Sequence, residues 1–223
     1  DILFAPTTKA EENLLKEGIS KNKIYTVGNP IVDAIDRNLP IAKKRSNILN
    51  KLGLKKENYF LLTLHRSENV DHRERLKNIL DGIRLITEKF PEYQIVFPIH
   101  PRTKNNIEKF KLANYLKNLI VINPVGYLDF LMLEANSRLI LTDSGGVQEE
   151  ACVLQVPTVT LRTETERPET IEIGANIIGG LNPYNILKSV EIMLKKDRNW
   201  TNPYGKNVTE KIIDVMHKML NII

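Results

Sequence analysis

Short continuous apolar runs alternate with longer amphipathic stretches along most of this chain, the pattern of parallel α/β units. Residues 2–5 read as a strand, and 7–18 as a helix with Leu14 and Leu15 on its inner side and Gly18 as its stop. A second short strand over 23–27 is closed by Gly28-Asn29-Pro30. Residues 31–37 read as helical, but periodicity is lost over 38–45, where Pro40 sits, so that stretch is expected to be a connection between substructures. From Tyr59 the alternation becomes regular, with strands over 59–64, 93–98, 119–122, 139–142, 158–161 and 175–178. Helices over 73–90, 103–113, 127–136 and 146–154 fall between them, and two more over 183–194 and 208–220 follow. Leu76, Ile79, Leu80, Ile83 and Ile86 recur at helical spacing. The 59–64 run is apolar throughout, as a strand buried on both faces requires. The expectation is a doubly wound α/β domain preceded by the tail end of a similar one.

Composition adds exclusions. The chain has 223 residues, 42% of them hydrophobic and 26% charged, which provides ample core and excludes general disorder. A single Cys152 excludes a disulfide framework and any cysteine-based zinc site. No histidine pair has the i, i+4 spacing of a zinc helix, so no metal is expected. No apolar run approaches the roughly 18 residues that cross a bilayer, and no charged-then-apolar leader opens the chain. The expected setting is therefore cytoplasmic, without a membrane partner. Residue 1 is Asp rather than Met, so the expectation is a chain trimmed or cut from something longer. The formal charge of +5 is scattered among acidic residues and only 6% of residues are aromatic, which argues against a nucleic-acid face. A small anionic substrate explains the charge equally well.

The ends of the predicted strands carry the chemistry. In an open parallel sheet, ligands bind beyond the carboxyl ends of the strands, where the winding reverses. After the 59–64 run come His65-Arg66-Ser67-Glu68-Asn69, and after Ile99 come His100-Pro101-Arg102. After Thr142 come Asp143-Ser144-Gly145-Gly146, and after Leu161 comes a loop containing Arg162, Glu164, Glu166 and Arg167. The Ser144-Gly145-Gly146 turn opening a helix would expose backbone N–H groups at a positive dipole end and let a phosphate approach closely. Read alone, the turn is equally an ordinary serine N-cap. Glu149 and Glu150 in the same helix offer one carboxylate for capping and one for the hydroxyls of a ribose. His65 and His100 are two of four histidines, both just past strand ends. Cys152 reads as a small buried hydrophobe rather than a nucleophile.

Longer blocks narrow the choice. Leu141-Thr142-Asp143-Ser144-Gly145-Gly146-Val147-Gln148-Glu149-Glu150-Ala151, then Val156-Pro157, then Thr165-Glu166-Arg167-Pro168-Glu169 resemble the non-hydrolysing UDP-N-acetylglucosamine 2-epimerases. Thr63-Leu64-His65-Arg66-Ser67-Glu68-Asn69, Pro98-Ile99-His100-Pro101 and Asn202-Pro203-Tyr204-Gly205 match further blocks in order, from Phe4-Ala5-Pro6-Thr7 to the last helix.

The resemblance implies the glycosyltransferase-B architecture, two Rossmann-like domains with the substrate between them. Residues 1–30 would be the last piece of the N-terminal domain, 31–198 the C-terminal UDP-binding domain and 199–223 a helix crossing back. It implies interconversion of UDP-N-acetylglucosamine and UDP-N-acetylmannosamine by elimination and re-addition of UDP through a 2-acetamidoglucal, with no cofactor and in a homodimer that serves polysaccharide biosynthesis. By position, Ser144, Gly145 and Gly146 would hold the diphosphate, Glu150 the ribose, Phe130 the uracil, and Arg167 the diphosphate side of the cleft. His65 would sit near the leaving phosphate as the catalytic residue of this chain, and His100 at a second, activating UDP-N-acetylglucosamine. The acid/base carboxylates of the family belong to the other domain, so this chain is expected to hold UDP without turning over alone. A UDP-sugar transferase of the same architecture, or a non-catalytic UDP-sugar sensor, would use the same pocket.

Overall fold

A computed structural model describes residues 2–220. The first unit is small: β1 (Leu3–Ala5), α1 (Thr8–Lys16) and β2 (Ile24–Thr26), whose two strands pair in parallel with Leu3 opposite Ile24. Thr7 starts α1 by accepting from the Ala10 N–H at 3.3 Å, and Gly18 ends it at φ 84°. Two helices follow, α2 (Ile31–Arg45) and α3 (Ile48–Lys51).

The remaining strands make one parallel six-stranded sheet. They are β3 (Tyr59–Thr63), then after α4 (Ser67–Val70) and α5 (Arg73–Lys89) β4 (Gln94–Pro98), then after α6 (Pro101–Lys109) β5 (Ile120–Ile122). Next come α7 (Tyr127–Asn136), β6 (Leu139–Thr142), α8 (Gly145–Val153), β7 (Thr158–Thr160), α9 (Pro168–Glu172) and β8 (Asn176–Ile178). The chain ends in α10 (Pro183–Leu194) and α11 (Val208–Leu220). The order across the sheet is β5-β4-β3-β6-β7-β8, the doubly wound Rossmann order, and the winding reverses between β3 and β6.

Strand periodicity divides the core into two layers. Phe60, Leu62 and Leu64 of the β3 segment join Phe97 and Leu141 against Leu76, Ile79 and Ile83 of α5 and Ile186 and Val190 of α10. Their neighbours Tyr59 and Leu61 point the other way, with Val96 and Ile140, onto Leu133 of α7 and Val147 and Ala151 of α8. Each such fully buried side chain contributes about 1.5–3 kcal/mol. The Tyr59 hydroxyl that this layer takes in is satisfied, because it donates to the Leu133 carbonyl at 2.6 Å.

The helices and strands lie where the periodicity places them, with ends shifted by a few residues at most, except in four places. The largest departure is α2, which runs through Pro40 to Arg45 instead of stopping at residue 37. Pro40 is exposed, so its ring faces water, and Ala42 beyond it is buried against Leu131 of α7. Ala42 is the one buried residue of 38–45, which is why that half of the helix shows no apolar period. Lys43, Lys44 and Arg45 fall in the last turn, where the dipole favours cations. The other departures are the short helices α3, α4 and α9, each too brief to show a period. Among the described residues no helix is long and apolar enough to cross a membrane.

The first unit is fastened to the C-terminal segment. Gly28 adopts φ 104°, and a Cβ there would lie 2.2 Å from the Tyr204 carbonyl oxygen, so only glycine fits. The Asn29 N–H donates to that same carbonyl at 3.0 Å. The Asp33 carboxylate of α2 accepts from the Val208 and Thr209 N–H groups at 3.2 and 2.6 Å, which caps α11.

Pro40 removes a helical N–H donor and crowds the preceding turn, so Pro40→Ala is expected to stabilise the protein by about 2 kcal/mol, the helix-interior penalty less the entropy proline removes from the unfolded chain. Urea denaturation checks this; an unchanged or lower midpoint would show that α2 is better built with the kink.

Candidate functional site

The polar residues collect where β3 and β6 end, at the reversal of winding. Asp143, directly after β6, is fully buried. Its carboxylate accepts from the backbone N–H of His65 at 3.0 and 3.1 Å, from that of Arg66 at 2.9 Å and from the Asn69 amide at 3.2 Å. The loop after β3 is thereby tied to the end of β6. One layer below, the Thr63 and Thr142 hydroxyls meet at 2.6 Å, and the Ser144 N–H donates to Thr142 Oγ1 at 2.9 Å.

Ser144 is the N-cap of α8, its hydroxyl accepting from the Val147 N–H at 3.4 Å. Gly145 follows beneath two guanidinium groups. A Cβ placed on Gly145 would lie 3.6 Å from Arg66 Nη2 and 3.7 Å from Arg167 Nη2. Gly146 is exposed, with only Ser144 Oγ at 4.0 Å from the corresponding point. Two cations thus lie over the positive end of a nine-residue helix, a concentration of positive charge suited to an anion.

The two arginines are held differently. Arg167 donates from Nε to Glu149, and from Nη1 to the Glu166 carbonyl at 3.1 Å. Its backbone is fixed by Thr165, whose hydroxyl accepts the Arg167 N–H at 3.1 Å and donates to the buried Gln148 side chain at 2.6 Å. Burial raises Glu149, and Arg167 draws it back down. Arg66 has no such brace, and its Nε is buried without a hydrogen-bond partner.

Arg162 is different. It is buried and closed on itself by Glu68 at 2.8 Å and by both oxygens of Glu166 at 2.7 and 2.9 Å. Those bonds hold Glu166 down at about 2, from an ordinary 4.5.

His65, His100 and Phe130 line a second recess of about 180 Å³ with Pro98, Val125 and Val147. The two imidazole centroids are 5.9 Å apart. His100 caps α6, its Nδ1 accepting from the Arg102 N–H at 3.2 Å, so its Nε2 is the nitrogen left for other contacts. His65 Nε2 is 3.9 Å from Asp143 Oδ1, outside hydrogen-bond reach. Phe130 is half-buried on α7 and offers a flat apolar wall.

Glu150 lies on a third side, facing Tyr127 and Glu134 of α7. A larger cleft of about 540 Å³ opens past Arg167 and Glu149 toward Phe4, Pro6 and Asn29 of the first unit.

Ser144, Gly145, Gly146 and Arg167 are therefore brought to one helix end, His65, His100 and Phe130 to the recess beside it, and Glu150 to the α7 side. Three residues escaped assignment from sequence. Arg66 and Asp143 stood inside quoted motifs, and the signal was available: an arginine directly after one strand and a carboxylate ending another. Glu134 closes the apolar run Phe130-Leu131-Met132-Leu133, where a lone acid is itself a signal. Cys152 is buried, and burial pushes its thiol up to about 12, far from nucleophilic use. Among the described residues no cluster of three or more His, Cys, Asp or Glu could hold a metal ion.

Comparison with known proteins follows the same geometry. Residues 1–217 match the family model of UDP-N-acetylglucosamine 2-epimerase. A UDP-N-acetylglucosamine 2-epimerase of Methanocaldococcus jannaschii is 56% identical over 221 residues, which cover 96% of this chain and 60% of the relative. One of Methanococcus maripaludis is 53% identical over 218 residues, covering 96% and 59%. The crystal structure of the M. jannaschii UDP-GlcNAc 2-epimerase in complex with UDP-GlcNAc and UDP superposes with a TM-score of 0.91 at 55% identity, covering 97% of this chain and 61% of that one. The wall teichoic acid polymerase TagF shares the fold alone, at 16% identity and a TM-score of 0.59 over 99% of this chain and 58% of its own. The chain spans about 60% of the length of the relatives it matches.

Asp143→Ala takes the acceptor from three donors, the buried Asn69 amide and the half-buried His65 and Arg66 N–H groups, and is expected to cost about 3 kcal/mol in urea denaturation, with Asp143→Asn losing less because one oxygen remains. Glu166 yields a pH prediction. Its folded value lies below its unfolded one, so its ion pair stabilises fully above pH 4.5 and the contribution disappears as pH falls toward 2. Acid titration of stability should show that loss in the parent and not in Glu166→Gln; identical acid limbs would refute it.

Proposed function

Because the chain belongs to the UDP-N-acetylglucosamine 2-epimerase family, we propose that it forms the UDP-holding part of an active site that interconverts UDP-N-acetylglucosamine and UDP-N-acetylmannosamine. The observation that carries this reading is the pair of guanidinium groups over Gly145 at the N-terminus of α8. A nucleoside diphosphate brings the charge that this arrangement lacks, and the N–H groups of a helix end suit its oxygens.

In the reaction, a base takes the proton from C2 of the sugar while the C1–O bond breaks, its electron pair leaving with UDP. A C1–C2 double bond remains, the 2-acetamidoglucal. Protonation of C2 on the opposite face and return of the UDP oxygen to C1 complete the epimerisation. Charge therefore grows on the diphosphate as the bond breaks, and donors already aimed at it lower the barrier. Ser144, Gly145, Gly146, Arg66 and Arg167 supply those donors, and the His65 imidazole at the rim adds to them. Phe130 takes the uracil in the adjoining recess, and Glu150 the ribose hydroxyls. His100 shares that recess with His65, so a second, activating UDP-N-acetylglucosamine would lie beside the leaving group. The acid and base at C2 are assigned to the other domain of the architecture, across the cleft lined by Phe4, Asn29 and Arg167. The domain boundary is placed near residue 30, where Gly28 and Asn29 meet the Tyr204 carbonyl. Family membership also supports a cytoplasmic homodimer that serves polysaccharide biosynthesis.

Calorimetry with UDP should show affinity reduced about 10-fold in each of Ser144→Ala and Glu150→Ala, about 1.4 kcal/mol apiece; unchanged affinity in both would refute the placement. In the full-length protein, UDP-N-acetylmannosamine should form from UDP-N-acetylglucosamine with no acceptor present. Sugar transfer to an added acceptor in its place would identify a transferase.

A further inference from the structure

Tyr127 and Glu134 stand two turns apart on α7, on the face that packs beside α8. Glu134 is fully buried, and neither of its carboxyl oxygens has a hydrogen-bond partner. The charged group acting on it is the Glu150 carboxyl of α8, which Tyr127 also faces. A buried carboxylate with another carboxylate beside it is among the least favourable arrangements in a folded protein. A neutral carboxylic acid in the same place becomes a donor with an acceptor at hand. Burial, and then the neighbouring Glu150, push Glu134 well above the usual carboxylate range, which favours its protonated form. Burial raises Glu150 as well, but donation from Glu134 and Tyr127 offsets part of that rise, whereas the same bond raises Glu134 further, so the shared proton is favoured on Glu134.

We propose that Glu134 is a positioning residue for nucleotide recognition, its carboxyl donating to Glu150 and turning the free oxygen of Glu150 toward the ribose diol. This rests on the reading that Glu150 receives the ribose. A purely structural role predicts otherwise, because an apolar side chain of similar volume at position 134 would pack as well or better. The Glu134 proton gives Glu150 one orientation without neutralising it, leaving an ionised acceptor for two vicinal hydroxyls.

The test is calorimetry on the intact protein with two ligands, UDP and its 2′,3′-dideoxy analogue, which lacks the ribose hydroxyls. Glu134→Met, which removes the donor and keeps the volume, should weaken UDP about 10-fold and leave the dideoxy analogue within about twofold. Glu134→Gln, which keeps a donor, should hold UDP within about threefold of the parent. Equal losses for both ligands in Glu134→Met would overturn the proposal in favour of a packing role, as would a Gln variant no better than Met. Full UDP affinity in Glu134→Met with a loss in Glu150→Ala would refute the positioning role alone. No loss in Glu150→Ala would instead remove the ribose reading itself.

Discussion

The Asp143 carboxylate is the constraint on which the site depends. It is buried beside the ends of the two central strands at the point where the winding reverses. Its charge is met by the backbone N–H groups of His65 and Arg66 and by the Asn69 amide. A charged acceptor with several donors is worth more than a neutral one, and each donor would be costly to leave unpaired. The loop after β3 therefore has one favourable path. That path sends the Arg66 side chain over the helix that begins two residues beyond Asp143.

The anion site follows from this connection. A guanidinium over the N-terminus of α8 opposes the helix dipole, so the fold holds Arg66 and Arg167 there by bonds made elsewhere. Glu149 and the Thr165–Gln148 pair secure Arg167, and the Asp143 bonds secure the Arg66 backbone. The unfavourable local field is the feature that a diphosphate would relieve. Arg162, which lies four residues before Glu166 and looks equivalent to Arg167 in sequence, is fully engaged by Glu68 and Glu166 and stands apart from the site.

Much of the architecture is legible without coordinates, because a strand buried on both faces must be apolar throughout and a helix packed on one side must repeat its apolar positions. The 59–62 and 139–141 runs show the first property, and Leu76 to Ile86 the second. The same rule explains the failure at α2. Its second half buries only Ala42, and a helix held by one small residue leaves no period to read, while Pro40 argues against it locally. Contacts with α7 outweigh that local preference. The strand-end motifs likewise place His65, His100, Ser144 and Arg167 on one edge, since parallel strands all present the same end there.

What the sequence determined by itself is the set of elements, the edge on which the chemistry stands, and the family, all of which depend on local periodicity and unbroken motifs. What only the tertiary structure decided is which charges face one another. Arg66 and Arg167 are about a hundred residues apart and meet over Gly145 because β3 and β7, whose following loops carry them, flank β6 in the sheet. Glu134 meets Glu150 because α7 and α8 pack side by side. Electrostatic energy depends on separation in space and on burial, and neither quantity is carried by position along the chain.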